Sequence, residues 1–412
     1  MAVNVVLVSS GQPSANPRLV KEAIALAMGG YNVTVIYCPL SPWADAYDAE
    51  LFAARREIQW VRAGAHSVKQ PLAFRLARLR QQFFTLVYRV AGNRFSAAVR
   101  SQVLFSQELQ TTAVQYPAAL YIGHNLGSLP AIFRAARTHR AKMAFDFEDF
   151  HRGEDLPGSL HSKRAKEIED CYVPALTYST AAAPLIADEY RKLYPGLNCH
   201  TINNCFPGTY SKKSLRQVSV VPLRLFWFSQ FIGTGRGLET ILAAMGKTGN
   251  ASIQLTLLGN CTASVRENFL NLARQHGLKE GQLVFHEPVQ EQALVAIAAQ
   301  HHIGFAAEVP VTVNRNLCLT NKIFIYLLAG NAILFSRTAA QESFLKEYPG
   351  IGSLYDSSDP AILAQLLKNY LDHSQWLQQQ REASLSLARK QFNWEQESQH
   401  LLRITNAVLD RA

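Results

Sequence analysis

A handful of short runs in the sequence carry residue types that can do chemistry. Gly233-Thr234-Gly235-Arg236-Gly237 sets three glycines at alternate positions around an arginine. Glycines let backbone amides close on a phosphate, and the start of a following helix adds positive potential. A plain tight turn is the simpler reading; Arg236 favours diphosphate binding. The run is not a dinucleotide fingerprint, because Leu238 stands where a third glycine belongs and no acidic residue between Thr240 and Arg266 could hold a ribose. That disfavours hydride transfer.

A second group is Glu308 and Asn314-Arg315-Asn316, followed by Thr320-Asn321-Lys322. Thr320 or Asn321 is suited to cap a helix, with Lys322 in its first turn. A cation there opposes the helix dipole. An anion between them would remove the conflict; a lysine snorkelling to the surface is the alternative. His124-Asn125 and Asp146-Phe147-Glu148-Asp149-Phe150-His151 each follow an apolar run. His124 reads either as catalytic or as structural. Asp146, Glu148 and Asp149 resemble an Asp-x-Asp metal site only loosely, so contacts to an acceptor hydroxyl are the preferred reading and no metal is expected.

These residues need elements to position them. Val3–Ser9 reads as a strand, Arg18–Met28 as a helix and Asn32–Tyr37 as a strand, which is a βαβ unit. The first run is continuously apolar, as expected of a central parallel strand covered on both faces. Its loop, Ser9-Ser10-Gly11-Gln12-Pro13, then falls at the carboxyl edge of the sheet, where open α/β folds bind ligands. The alternation continues with strands at Ala119–Ile122, Lys142–Phe147 and Ala175–Ser179. A break near Asn203–Gly208 and a polar stretch to about Ser219 precede a second series beginning at Leu223–Phe228. The expected architecture is α/β, two doubly wound Rossmann-like domains facing a cleft. Residues 1–207 form the first domain, 208–390 the second, and 391–412 a C-terminal helix crossing back to the first.

Residues 58–107 break the alternation, with no Asp or Glu and eight basic residues interleaved with Leu and Phe. This basic helical insertion reads either as a packed helix pair with a solvated face or as a dock for an anionic membrane surface or acceptor. Nucleic acid is not expected as a partner, since no recognised module accompanies the charge. The 412 residues carry 41 Lys+Arg against 31 Asp+Glu, a net +10, with 48% hydrophobic residues, which excludes a disordered or low-complexity chain. The six cysteines show no C-x-x-C pair and the N-terminus no leader pattern, so a cytoplasmic protein, or one peripheral at the inner face of the cell membrane, is expected.

In order and spacing these runs resemble a glycosyltransferase of the GT-B fold, most similar to glycosyltransferase family 4. The resemblance rests on Asn16-Pro17-Arg18, Gly30-Tyr31-Asn32-Val33, Gly123-His124-Asn125 with Leu129-Pro130-Ala131, Asp146 through Asp149 and Thr177-Tyr178-Ser179. It continues through Ile202-Asn203-Asn204, Ser229 through Gly237, Leu258-Gly259-Asn260, Asn321-Lys322-Ile323-Phe324 and Phe392-Asn393-Trp394-Glu395. It implies a first domain for the acceptor, a glycan or lipid-linked molecule, and a second for a nucleotide-sugar, with metal-independent, retaining transfer and no cofactor. Arg236, Lys322, Gly235 and Gly11 would hold the donor diphosphate, and Asn260, Asn321 and Thr320 the nucleoside or sugar. Glu308 would hold sugar hydroxyls, and His124 would contact the sugar or the acceptor. Three positions depart from the pattern: Gln230 stands for a usual Arg or Lys, Ile325 for a frequent Glu, and Asn316 for the Glu that would pair with Glu308. A nucleotide-sugar epimerase of the same fold and a noncatalytic sugar-nucleotide-binding scaffold are the rival readings.

Overall fold

The computed structural model describes residues 2–211 and 221–410. Most of the polar stretch expected up to Ser219 therefore lies outside the described residues. The chain forms two compact units. One holds Met1–Asn203, Thr312–Asn314 and Ser398–Ala412; the other holds Asn204–Val311 and Arg315–Glu397.

The first unit is built on seven parallel strands: β1 (Asn4–Ser9), β2 (Asn32–Tyr37), β3 (Gln59–Arg62), β4 (Leu120–His124), β5 (Lys142–Phe147), β6 (Tyr178–Ala181) and β7 (Cys199–Thr201). Their order is β3-β2-β1-β4-β5-β6-β7. The second unit has six: β8 (Leu223–Phe231), β9 (Ile253–Asn260), β10 (Leu283–His286), β11 (Ile303–Ala306), β12 (Ala332–Ser336) and β13 (Gly352–Tyr355), in the order β10-β9-β8-β11-β12-β13. Each sheet thus begins in its middle and grows first to one side, then to the other. Val5 pairs with Val33 on one flank of β1 and with Leu120 on the other. The crossovers leave β1 and β4, and likewise β8 and β11, in opposite directions, and a crevice opens at their carboxyl ends.

Helices cover both faces, which is why the inner strands are apolar without alternation. In the second unit Leu225, Trp227, Leu255, Leu257, Phe305 and Leu334 form one cluster with Leu238, Ile241, Leu242 and Met245 of the helix Leu238–Thr248. In the first, Pro17 opens the helix Pro17–Met28, and the Asn16 side chain accepts the Leu19 N–H (3.0 Å) as its cap. In the tail, Tyr31 donates to Asn406 Oδ1 (2.6 Å).

Two sequence expectations are corrected. The insertion is not helical from residue 58: Gln59–Arg62 is an edge strand in register with Thr34–Tyr37, and helices follow at Pro71–Ala91, Ala97–Gln102 and Ser106–Val114. The strand expected at Ala175–Ser179 begins three residues later, at Tyr178, because Val173-Pro174-Ala175 closes a tight turn in which proline has no N–H to give a ladder.

Candidate functional site

In the second unit the site begins with an irregularity in β8. The β8–β9 register shifts between Phe228 and Phe231; Ile232 N–H then reaches Asn260 O (2.9 Å) and Asn260 Nδ2 reaches Gln230 O (3.1 Å). Gly259, at φ +154°, makes the approach possible, since a Cβ there would lie 2.3 Å from the Ser229 carbonyl oxygen. Asn260, expected at the nucleoside or sugar, is thus also a clamp on the bulge.

The loop that follows turns through Gly235 (φ +71°) and Gly237 (φ +81°), both left-handed. Gly237 is the cap of the helix Leu238–Thr248 and has no side chain to satisfy that helix's first amides. Arg236 is half-buried, and its Nη1 donates to Ser229 Oγ (3.1 Å), which fixes the guanidinium beside the helix start. The Gly235 amide, expected to face the diphosphate, donates instead to Glu239 Oε1 (3.0 Å). A Cβ on Gly237 would be 3.5 Å from Ala307 Cβ and 4.0 Å from the Tyr355 hydroxyl, so the loop packs beside the ends of β11 and β13. Tyr355 is buried and its hydroxyl makes no hydrogen bond.

Glu308 follows β11, with its N–H on Ser336 Oγ (2.9 Å). Lys322, in the first turn of the helix Asn321–Ala329 and 7% exposed, places Nζ 2.7 Å from Glu308 Oε1 and 5.6 Å from the centre of the Trp227 ring. The conflict between this cation and its helix dipole is therefore answered by a carboxylate of the chain itself. Neither expected cap forms. Thr320 has cap geometry but its buried Oγ1 makes no hydrogen bond, and Asn321 Oδ1 accepts from Asn204 Nδ2 (3.0 Å). Ile325, standing where a ribose-binding Glu is frequent, lies in the core.

The corresponding strand ends of the first unit are arranged differently. Arg18, from the first turn of Pro17–Met28, grips Asp146 through Nε (2.6 Å) and Nη2 (2.8 Å), and Thr180 Oγ1 also donates to Asp146. His124 Nε2 lies 2.8 Å from Glu22 and Nδ1 3.7 Å from Asp146. All five residues are buried. Burial alone would raise the Asp146 pKa, but the Arg18 charge and hydrogen bonds hold it below the usual carboxylate range. Burial would likewise lower His124; the Glu22 carboxylate overrides it and raises the pKa. Asp146 and His124, expected to meet acceptor or sugar, are thus engaged inside the fold, where a carboxylate and an imidazole without partners would be costly.

Glu148 and Asp149 lie just beyond. Burial and the neighbouring Asp149 charge raise the Glu148 pKa, while Asp149 accepts from Asn314 Nδ2 (2.7 Å). Gly11, expected at the diphosphate, is in the first unit, with its N–H on Ser9 Oγ (3.1 Å); Gly235, Arg236 and Lys322 are in the second. Among the described residues no three His, Cys, Asp or Glu side chains gather to hold a metal ion.

The sequence reading missed Arg18, Glu22, Ser229 and Tyr355 as site residues. Arg18 was detectable, because it poses the same conflict of a cation in a first helical turn that singled out Lys322. The others carry no local signal.

No protein-family model and no curated protein sequence matches the chain. Among solved structures, Anabaena HepE in complex with UDP is similar at a TM-score of 0.68 and 13% identity, over 99% of this chain and 100% of that one. A glycosyltransferase from Rickettsia africae gives 0.68 and 11%, covering 100% of both chains. The sucrose-phosphate synthase of Thermosynechococcus elongatus gives 0.68 and 12%, over 99% of each. With the two parallel sheets and their strand orders, these likenesses give the chain the fold of the GT-B glycosyltransferases.

Proposed function

We propose that the chain is a glycosyltransferase that moves a sugar from a nucleotide-sugar to a glycan or lipid-linked acceptor, with retention, without a metal, and at the cytoplasmic side. The observation that carries this is the grouping at the β8 and β11 ends: a glycine-capped helix start, a guanidinium anchored on Ser229, and a Lys322–Glu308 pair. In the reaction the bond from the sugar C1 to the diphosphate oxygen breaks and one from C1 to the acceptor oxygen forms. The hydroxyl proton passes to the departing diphosphate oxygen, on which negative charge collects as the bond to C1 breaks. Arg236 retains guanidinium donors beyond the one on Ser229. Lys322 Nζ has three protons, of which Glu308 takes one, so Glu308 orients the ammonium and its second oxygen remains for a sugar hydroxyl. Prepositioned cations of this kind stabilise charge where it develops. Asn260, Asn321 and Thr320 are assigned to the nucleoside or sugar, and Glu148 and Asp149 to the acceptor side. That HepE has been seen with UDP and with UDP-glucose supports trying uridine nucleotides first.

Neutral Gln230 and core-buried Ile325 favour the scaffold as a second reading, because both remove donor contacts common in the resembling family. The test is nucleoside diphosphate release from a panel of nucleotide-sugars, with and without acceptors and EDTA. Transfer predicts acceptor-dependent release that survives chelation and is lost in Arg236→Ala. Nucleotide binding with no release under any acceptor would leave the scaffold; a product epimer without acceptor would mean an epimerase.

A further inference from the structure

The helix Pro71–Ala91 of the first unit packs through Ala77, Phe84 and Tyr88, its buried residues, and is tied down by Gln81 Nε2 on Ser101 O (3.2 Å) and Arg80 on Glu108 (2.6 Å). On the opposite side Leu72, Leu76, Leu79, Phe83, Leu86 and Val90 recur at intervals of four and three residues. Each is between 59% and 80% exposed. At 1.5 Å per residue this is a continuous apolar stripe about 27 Å long, beyond the scattered exposed leucines of an ordinary surface. Arg75 and Arg89 run along one edge, with Arg78 further round the same flank; all three are exposed, and none is in an ion pair among the described residues. Just past the helix, Phe95 is exposed beside Arg94 in a left-handed turn.

We infer that this stripe docks the protein on an anionic phospholipid surface. The helix lies in the plane of the interface, its six apolar side chains at the acyl boundary and Arg75, Arg78 and Arg89 at lipid phosphates. Charge selects this occupant. A second copy paired through the same stripe would bring more arginines and no carboxylate, since residues 58–107 contain none. Spanning is not the mode, because no helix among the described residues is long and apolar enough to cross a membrane. The inference does not depend on the proposed reaction.

The test is cosedimentation of the full chain with phosphatidylcholine vesicles, pure or mixed equally with phosphatidylglycerol. Binding is expected to the mixed vesicles alone, and to fall as salt rises from about 0.1 M to about 1 M and the screening length drops from ~10 Å to ~3 Å. Combining Arg75→Ser, Arg78→Ser and Arg89→Ser should weaken it roughly a hundredfold. Combining Leu79→Ser with Phe83→Ser should weaken it with the charge unchanged, and the exposed positions leave the thermal midpoint as a control on folding. Equal binding to both vesicle types, or no effect of the arginine changes, would overturn the inference. So would a dimer in solution that the Leu79 and Phe83 changes dissolve while vesicles bind nothing.

Discussion

The carboxyl ends of β1 and β4 and those of β8 and β11 occupy the same place in two sheets of the same strand order, yet they differ in what they do with charge. In the first unit the cations at the crevice floor face carboxylates: Arg18 meets Asp146, and His124 lies between Glu22 and Asp146. In the second, Lys322 has Glu308, but among the described residues Arg236 has a serine hydroxyl and no carboxylate, and the helix start beside it carries no capping side chain. Both units place a cation in the first turn of a helix near the crevice, and both answer it with a carboxylate. Among the described residues the second leaves a further cation, Arg236, without a carboxylate. Equal topology therefore supplies equal positions, and the balance of charges decides which position can receive an anion.

Removing a carboxylate from the closed network should have the largest effect. Asp146→Ala leaves Arg18 buried without its partner, which should cost about 3–5 kcal/mol; Arg236→Ala, away from any such pair, should stay within about 0.5 kcal/mol. Urea titration of both variants, followed by circular dichroism, checks the contrast. A small loss in Asp146→Ala would mean that the first unit's network is not what holds its floor.

Next in size is the kinetic counterpart. If the uncommitted cation serves the leaving diphosphate, Arg236→Ala should lower kcat/KM by a transition-state term of roughly 2–4 kcal/mol, mostly in kcat. Arg236→Lys should recover part of it, because an ammonium keeps the charge but not the planar fork. A variant that loses only KM would assign Arg236 to ground-state binding.

The contrast also marks how far the sequence could be read. Central strands such as Asn32–Tyr37 and Lys142–Phe147 were legible to the residue, because burial between neighbouring elements demands largely apolar runs. Edge strands β3, β7 and β13 were not: three or four residues with a wet side carry no such run. The Gly233–Gly237 loop was visible as a loop, but its anchor on Ser229 depends on a bulge that no composition rule announces. The Arg18–Asp146 pair joins residues 128 apart in sequence. A sequence shows that a cation stands in the wrong turn of a helix; only the fold shows which carboxylate meets it.

A pH series sharpens the difference on the first unit's side. Burial would lower the His151 pKa, but the Glu154 carboxylate, hydrogen-bonded at 2.5 Å, pushes it up to about 9. A group raised in the folded state stabilises fully below its unfolded pKa of about 6.5 and loses that contribution as pH climbs through the folded value. At 1.36 kcal/mol per unit the loss between about pH 6.5 and 9 approaches 3 kcal/mol. The urea midpoint should fall across that window, and His151→Gln should flatten the fall. His124, raised in the same direction by Glu22, adds a decline of the same sign. A midpoint independent of pH there would show that these imidazoles are neutral in the folded protein.

The smallest effect expected is a gain. Gln230 is exposed and follows Ser229, the residue that holds Arg236, and its backbone carbonyl is fixed by Asn260. Gln230→Lys therefore changes the charge near the loop without disturbing what shapes it. An added exposed cation contributes about 0–1 kcal/mol to a charge pair, so a nucleoside diphosphate should bind up to about fivefold more tightly at low salt. The bare nucleoside, which has no phosphate, should bind as before. The gain should vanish near 1 M salt, where screening reaches within ~3 Å. Calorimetric titration with both ligands at two salt concentrations separates these outcomes. A diphosphate affinity that ignores the new lysine would place the anion away from this loop, and the surplus cation that sets the second unit apart from the first would then serve some other contact.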